Sequence, residues 1–273
     1  MVKPPFSRQG NKTPILPDIL KLIPPHKTYC ELFAGSAVVF FNKKKSEKNI
    51  LNDLDKEVYD RLKLLQEAPL DLSQYKNNLN NLEDLHSFYI IPPQTIPDKI
   101  LHSKITSSNG YRGKPIYNSK IYKKYNPFSI TKKLPFYKDM MNDVIVTNKD
   151  YLPILKKYDS VDSFFFIDPP YENTHGGFYS HSNFDYKFLA DILQNIQGLF
   201  LLTMNDSENI RQLFKDFFIT EIDVVTSWNG KDYKHTIRKE LLITNRQYSP
   251  ACATECANYP SNPIAPSGIS AGQ

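Results

Sequence analysis

The sequence predicts an α/β fold with a mainly parallel sheet and helices on both of its faces. One observation is that strand-like and helical segments alternate along most of the chain, which is the pattern of βαβ units. A second is the short apolar run at 164–167, three phenylalanines and an isoleucine, which is typical of a buried strand. A third is an Asn-Gly pair at 229–230 between two strand-like arms, which predicts a late β-hairpin.

The first elements follow one another between residues 27 and 67. A strand is predicted for "KTYCELF", and "AGSAVVFFNKKK" after it can begin a helix. "KNILND" predicts a second strand, and "KEVYDRLKLLQ" has helical periodicity. This part of the chain therefore predicts a βαβα start.

The later elements continue the alternation beyond residue 142. Strands are predicted at 143–148, 163–168, 198–205 and 240–245, and helices at 184–196 and 207–218.

The alternation stops between residues 67 and 141, where Pro, Asn, Lys and Tyr are frequent. A stretch of this length is too long for a simple loop in a compact domain. We therefore expect a core formed by 1–66 and 142–247 and a mostly helical inserted domain at 67–141. The small, polar and proline-rich segment 248–273 is expected to be a disordered tail.

Composition limits the class of protein. Of the 273 residues 40% are hydrophobic, which is enough for a substantial core. No run of about 18 apolar residues and no N-terminal leader is present, which predicts a soluble intracellular protein with no membrane partner. Cys30 is predicted to be a small core residue. Cys252 and Cys256 have no further Cys or His nearby to complete a zinc site, so free thiols are predicted there.

The net charge of +5 is unevenly distributed along the chain. Between residues 111 and 138 there are eight basic residues and no acid, and seven aromatic residues lie among them. Cations for phosphates and rings for stacking are what a nucleic-acid surface requires, and an ordinary solvated basic face is the alternative. The tip of the predicted hairpin is also basic, with Lys231 and Lys234.

The turn in "ELFAGSAVVFF" is the first segment with chemical meaning. A strand, Gly35 and further small residues let a ligand approach the backbone closely. Asp53 ends the next predicted strand, where an acid can bind the ribose hydroxyls of an adenosine-containing cofactor. Its alternative role is a helix N-cap. Because neither GxxxxGK[ST] nor a full GxGxxG is present, an uncharged nucleoside cofactor fits better than a dinucleotide.

The segment "IDPPY" is the second segment with chemical meaning. Asp168 follows the apolar strand, and the two prolines after it fix the backbone. The Asp168 carboxylate and the Pro169 carbonyl can accept both hydrogens of an amino group, which makes the nitrogen of a nucleobase more nucleophilic. Tyr171 offers a ring on which a planar base stacks. This loop is therefore predicted to hold a flat ring by its amino group.

These motifs together, from about residue 5 to 246, resemble the Dam-like (D12 class, alpha group) adenine-N6 DNA methyltransferases. "PFSRQGNKTPILPDIL" resembles their first cofactor motif, "ELFAGSAVVFFN" their S-adenosylmethionine turn, and "IDPPY" their catalytic motif. "VTNKDYLPIL" corresponds to the segment that meets the adenine of the cofactor, and "KELLITN" closes the sheet in the manner of the family. Ala37 stands where many relatives have glycine.

The resemblance implies a Rossmann-like methyltransferase sheet with an inserted target-recognition domain and a late β-hairpin. The implied activity is methyl transfer from S-adenosyl-L-methionine to N6 of a flipped-out adenine in double-stranded DNA, with no metal. The implied catalytic residues are Asp168, Pro169, Pro170 and Tyr171. The implied cofactor-binding residues are Gly10, Lys12, Glu31, Phe33, Gly35, Ser36, Asp53, Asp150, Tyr151 and Asp168. Candidate DNA-binding residues are Arg112, Lys114, Asn118, Lys120, Lys123, Lys124, Lys231 and Lys234.

Two alternative functions remain open at the level of sequence. One is methylation of adenine in RNA, since a flipped adenine presents the same edge in both polymers. The other is a sequence-specific DNA-binding module that has lost catalysis, which the intact DPPY motif and Asp53 disfavour. The recognition sequence and the oligomeric state are not defined by these motifs.

Overall fold

The computed structural model describes residues 1–6, 10–67, 133–172, 184–226 and 236–247. The helices of this part are α1 (Leu16–Lys21), α2 (Lys56–Glu67), α3 (Leu134–Met141), α4 (Tyr151–Tyr158), α5 (Tyr186–Leu193) and α6 (Glu208–Leu213). The strands are β1 (Thr28–Glu31), β2 (Lys48–Asn52), β3 (Ile145–Thr147), β4 (Ser163–Ile167), β5 (Leu199–Asn205), β6 (Phe218–Thr226) and β7 (Thr236–Thr244).

The strands form one seven-stranded sheet in the order β3-β2-β1-β4-β5-β7-β6. Strands β1 to β5 are parallel, and β7 runs antiparallel to both β5 and β6. The α/β fold with a mainly parallel sheet and a late hairpin is thus confirmed. The connection of that hairpin, 227–235, lies outside the described residues.

The phenylalanine run is apolar because both of its faces are buried. Phe164 and Phe166 pack in the core formed with α1, α2 and α3, whereas Phe165 and Ile167 pack in the core formed with α4, α5 and α6. Alternate side chains of a strand point to opposite faces, so a central strand between two helical layers needs apolar residues at every position. Cys30 is fully buried in the second core, as predicted.

The predicted helix within "AGSAVVFFNKKK" is wrong. Residues 32–39 form turns, and only a short 3₁₀ helix, Phe40–Asn42, follows. Gly35 and Ala37 have φ of 49° and 52°, in the left-handed region, and this geometry breaks a right-handed helix. The segment "SENIRQLFKDFF" is helical only to Leu213, because Phe218 already begins β6.

Helix α3 follows the interval at 68–132, which lies outside the described residues. Its residues Leu134, Tyr137 and Met141 are buried in the same core as α2. The Tyr137 hydroxyl donates a 2.6 Å hydrogen bond to the Lys3 carbonyl, and Phe6 is 3% exposed in that core. The described N-terminal residues are therefore fixed against the helical layer at Lys3 and Phe6.

The left-handed backbone at Ala37 leads to a first prediction. In Ala34→Gly, loss of a buried methyl group and gain of chain entropy should lower the free energy of unfolding by about 1–2 kcal/mol. Ala37→Gly has the same two unfavourable effects, but it also removes the steric cost of a left-handed backbone at a residue with a Cβ atom, about 1–2 kcal/mol. Its free energy of unfolding should therefore stay near that of the wild type. Urea denaturation of both variants measures the difference, and equal losses would contradict the argument.

His26 leads to a second prediction, on pH. Its ring stacks on that of Phe164, with 5.3 Å between the ring centroids, and its Nδ1 forms a 2.6 Å hydrogen bond with the Pro24 carbonyl oxygen. Its buried Nε2 has no hydrogen-bond partner among the described residues. Burial, and then the charge of Lys43, lowers the pKa of His26 from 6.5 to about 4. His26 therefore becomes protonated below about pH 6.5 in the unfolded chain, but only below about pH 4 in the folded chain.

Stability from this group is complete above pH 6.5 and is lost as the pH falls to about 4, by up to about 3 kcal/mol. His26→Phe keeps an aromatic ring at this position and removes the group that titrates. The free energy of unfolding of the wild type should therefore fall more steeply than that of the variant between these pH values. Denaturation of the two proteins across this window checks the slope, and parallel curves would exclude the effect.

Candidate active site

A cavity of about 930 Å³ opens at the carboxyl ends of β1, β2 and β4. This edge is where open α/β sheets bind their ligands. All of the cofactor-binding residues predicted from the sequence line the cavity, namely Gly10, Lys12, Glu31, Phe33, Gly35, Ser36, Asp53, Asp150, Tyr151 and Asp168. Of the predicted catalytic residues, Pro170 lines it as well, and Pro169 and Tyr171 adjoin it in the chain.

The turn after β1 is held open by Asp53. The Gly35 N–H donates to the Asp53 carboxylate at 2.8 Å, and the Asp55 N–H donates to its other oxygen at 2.9 Å. The N-cap of α2 is Asp55, whose side chain accepts from the Glu57 N–H at 2.8 Å. The alternative that Asp53 caps this helix is therefore wrong, and Asp53 faces the cavity at the end of β2.

An aromatic wall closes one side of the cavity. The Tyr151 ring lies 5.4 Å from that of Phe33 and 5.7 Å from that of Phe184, between ring centroids. Asp150 is the N-cap of α4 and accepts from the Leu152 N–H at 2.8 Å, which orients its carboxylate beside the wall. Burial, and then nearby acids, raises the pKa of Tyr151 to about 12, so this ring is neutral.

Glu31 lies beneath the turn, with 1% of its surface exposed. Its Oε1 accepts hydrogen bonds from the Tyr29 hydroxyl and from the Phe40 N–H, both at 2.8 Å. Burial raises the pKa of Glu31 to about 8, although these two bonds act in the opposite direction. Glu31 therefore ties both ends of the turn together.

The Asp168 carboxylate is held from two sides. Its Oδ1 forms an ion pair of 2.8 Å with Lys12 Nζ and accepts a 2.8 Å hydrogen bond from the Thr203 hydroxyl. Lys12 is only 4% exposed, its Nζ also donates to the Gly10 carbonyl at 2.7 Å, and it lies 4.7 Å from the Tyr171 ring centroid. The N-terminal segment at Lys12 and the DPPY loop are thus in direct contact.

The rest of the DPPY loop is fixed from behind. The Tyr171 hydroxyl donates to Glu240 at 3.1 Å, and the Tyr186 hydroxyl donates to the Pro170 carbonyl at 2.9 Å. The Glu172 N–H donates to the Asn205 side chain at 3.0 Å. The Glu172 carboxylate accepts from the Ser207 hydroxyl at 2.6 Å and from the Asn209 side chain at 2.8 Å.

Several residues of the site were missed by the sequence analysis. Thr203 and Asn205 are polar positions two apart on one face of the otherwise apolar β5, and this alternation is a signal that could have identified them. Glu240, buried at the start of "ELLIT", gave a weaker signal of the same kind. Phe184 gave none, because nothing in its neighbourhood marks it as part of a wall.

Other predicted residues lie outside the described part of the chain. These are the DNA-binding candidates Arg112, Lys114, Asn118, Lys120, Lys123, Lys124, Lys231 and Lys234. Cys252, Cys256 and the tail at 248–273 are also outside it. In the part that the structure describes, no group of three or more His, Cys, Asp or Glu side chains is arranged to hold a metal ion, and no helix is long and apolar enough to cross a membrane.

Comparison with known proteins assigns this arrangement to a family. The chain is 24% identical over 238 residues to the Type II methyltransferase M.CviBI of Paramecium bursaria Chlorella virus NC1A, covering 81% of this chain and 90% of the relative. It is 24% identical over 272 residues to the Type II methyltransferase M1.LlaDCHI of Lactococcus lactis subsp. cremoris. That alignment covers 88% of this chain and 95% of the relative. A family model matches residues 9–95 and 96–228, and the chain therefore belongs to the D12 class N6 adenine-specific DNA methyltransferases.

Proposed function

We propose that the cavity binds S-adenosyl-L-methionine and that the DPPY loop beside it receives an adenine flipped out of double-stranded DNA. The observation that carries this proposal is the ion pair between Lys12 and Asp168. It joins the predicted cofactor segment to the predicted catalytic loop at the edge of one cavity. A methyl donor and an acceptor amino group could therefore be held next to each other.

The donor set of the cavity fits the cofactor from end to end. The rings of Phe33, Tyr151 and Phe184 offer faces and edges for an adenine, and the Asp150 carboxylate lies beside them to accept from its amino group. The Asp53 carboxylate offers acceptors for ribose hydroxyls. Lys12 attracts the carboxylate of the methionine part. When bound, the sulfonium of this cofactor supplies an electrophilic methyl group.

The target base is held by the loop itself. Both described contacts of the Asp168 carboxylate fall on Oδ1, so we assign the N6 amino group of the adenine to Oδ2. The Pro169 carbonyl accepts the second hydrogen, and the Tyr171 ring stacks on the base. Because these acceptors are fixed by the prolines, Lys12 and Thr203, little reorganisation is needed when the base arrives. The proton that methylation makes acidic would leave N6 to water, and the remainder of the cofactor would leave as a neutral thioether.

Recognition of DNA is assigned to the basic segments. We infer that 67–141 contains the target-recognition domain and that Arg112, Lys114, Asn118, Lys120, Lys123 and Lys124 contact DNA there, as Lys231 and Lys234 do on the hairpin. The aromatic and basic composition of 111–138 supports this. Both relatives are Type II methyltransferases by name, and we infer a partner restriction endonuclease of the same specificity.

The main test is methyl transfer to DNA. The wild type should incorporate labelled methyl groups from S-adenosyl-L-methionine into unmethylated genomic DNA as N6-methyladenine. Asp168→Asn removes the charge from the acceptor and should lower kcat by about 100-fold or more. Asp162→Asn, at the opposite end of β4 and 53% exposed, is the matched control and should remain active.

The products distinguish the alternatives. Transfer of methyl groups to RNA in preference to DNA would show that the substrate is RNA. Binding of DNA without any transfer would indicate a module that has lost catalysis. Full activity of Asp168→Asn would overturn the role given to this carboxylate.

A separate prediction concerns cofactor affinity. Asp53→Asn removes a charged acceptor of the ribose hydroxyls and also weakens the bond to the Gly35 N–H, so binding should weaken about 10-fold to 100-fold. Asp60→Asn, an exposed position of α2 paired with Lys56, should bind as the wild type does. Isothermal titration with S-adenosyl-L-methionine in the absence of DNA measures both, and unchanged affinity of Asp53→Asn would exclude the ribose contact.

A further inference from the structure

We propose that Glu240 of β7 is a positioning residue for methyl transfer, which holds the Tyr171 ring in its base-stacking orientation through the tyrosine hydroxyl. This inference rests on the proposed function, in which Tyr171 stacks on the target base. Glu240 is far from the DPPY motif in sequence, and neither the motif nor stacking itself requires it.

The geometry is that of a supported hydrogen bond. Glu240 is 2% exposed, its Oε2 accepts from the Tyr171 hydroxyl at 3.1 Å, and its Oε1 accepts from the Arg238 guanidinium at 2.6 Å. The backbone of Glu240 is paired on both sides, with Asn205 of β5 and Ile222 of β6. The acceptor is therefore fixed by two ladders and a cation before any base is bound.

The chemistry explains why a hydroxyl is present on this ring. A phenylalanine would offer the same face for stacking, and a buried hydroxyl is unfavourable unless it is hydrogen-bonded. Burial, followed by the charges of Asp168 and Glu240, raises the pKa of Tyr171 well above its usual value, so the hydroxyl stays a donor at any working pH. Its bond to Glu240 fixes the far end of the ring and so the place of the ring beside the cavity, which a stacking platform needs before the base arrives.

The position of Glu240 in the fold adds a consequence. Strand β7 begins at Thr236, just after the segment that contains Lys231 and Lys234, and Arg238 on it is 53% exposed. The strand that carries the proposed DNA-contacting hairpin thus also carries the group that holds Tyr171. Loss of Glu240 should therefore affect the step that involves the target base and should spare binding of the cofactor in the cavity.

A purely structural role makes a different prediction. If the Arg238–Glu240 pair only stabilised the sheet, its loss would lower the Tm and leave the turnover of the folded enzyme unchanged. The two roles are separated by measuring kcat and the KM for each substrate together with thermal denaturation.

The experiment compares Tyr171→Phe, Glu240→Leu, their double variant and Glu240→Gln with the wild-type full chain. Initial rates are measured with labelled S-adenosyl-L-methionine and unmethylated genomic DNA. Tyr171→Phe and Glu240→Leu should each lower kcat about 10-fold, with the KM for S-adenosyl-L-methionine within about twofold of the wild type. The double variant should lose no more than Tyr171→Phe, because that change already removes the bond to Glu240 together with the contact of the hydroxyl with Thr203. Glu240→Gln, which keeps an acceptor for the hydroxyl, should recover most of the rate.

Each outcome bears on the proposal. Wild-type kcat in Tyr171→Phe, or losses that multiply in the double variant, would overturn it. If Glu240→Leu does not fold, Tyr171→Phe and Glu240→Gln decide, since the first removes the bond without touching the buried carboxylate. An inactive wild type would instead refute the proposed function and this inference with it. The two failures are distinguishable, because the first is seen in the wild type and the second only in the variants.

Discussion

The ion pair between Lys12 and Asp168 is the contact on which the site depends. It brings two segments 156 positions apart to one point, and both side chains are largely removed from water, with 5% and 20% of their surfaces exposed. Withdrawing such charges from water is expensive unless further hydrogen bonds satisfy them. The Gly10 carbonyl and the Thr203 hydroxyl supply such bonds. The segments that carry the two residues are held by separate contacts on the two sides of the sheet.

One side of the sheet fixes the N-terminal segment, and the other fixes the DPPY loop. The core around α2 and α3 holds Phe6 and the Lys3 carbonyl before Lys12, and Ile15 and Leu16 after it. The DPPY loop is held by β5, β7 and the start of α6, through Asn205, Glu240 and Ser207. The rigidity of the loop therefore comes from the sheet as well as from its two prolines, whose effect is limited to their own backbone angles.

Local sequence was sufficient for the parts of the site that are local. Gly35 and Asp53 were found because a strand, a turn and a second strand place them at one edge by topology alone. The contacts of Asp168 with Lys12 and of Tyr171 with Glu240 join residues distant in the chain, and no pattern within a short window encodes such pairs. The predicted helix after Gly35 failed for a related reason. Apolar residues there pack in the core, but the left-handed angles of Gly35 and Ala37 follow from the turn that Asp53 and Glu31 hold.

Two carboxyl groups at the ends of the neighbouring strands β1 and β4 illustrate how burial divides their roles. Glu31 is sealed from water, and burial raises its pKa to about 8, with the nearby Asp168 charge adding to the rise. It ties the turn to Tyr29 and Phe40 through its two hydrogen bonds. Asp168 is partly exposed to the cavity and paired with a lysine. Burial and its hydrogen bonds therefore commit Glu31 to the turn, and Asp168 is the one of these two carboxyl groups that a molecule in the cavity can reach. We therefore expect a conservative exchange at Glu31 to act on the turn, and one at Asp168 to act on whatever group this carboxylate binds.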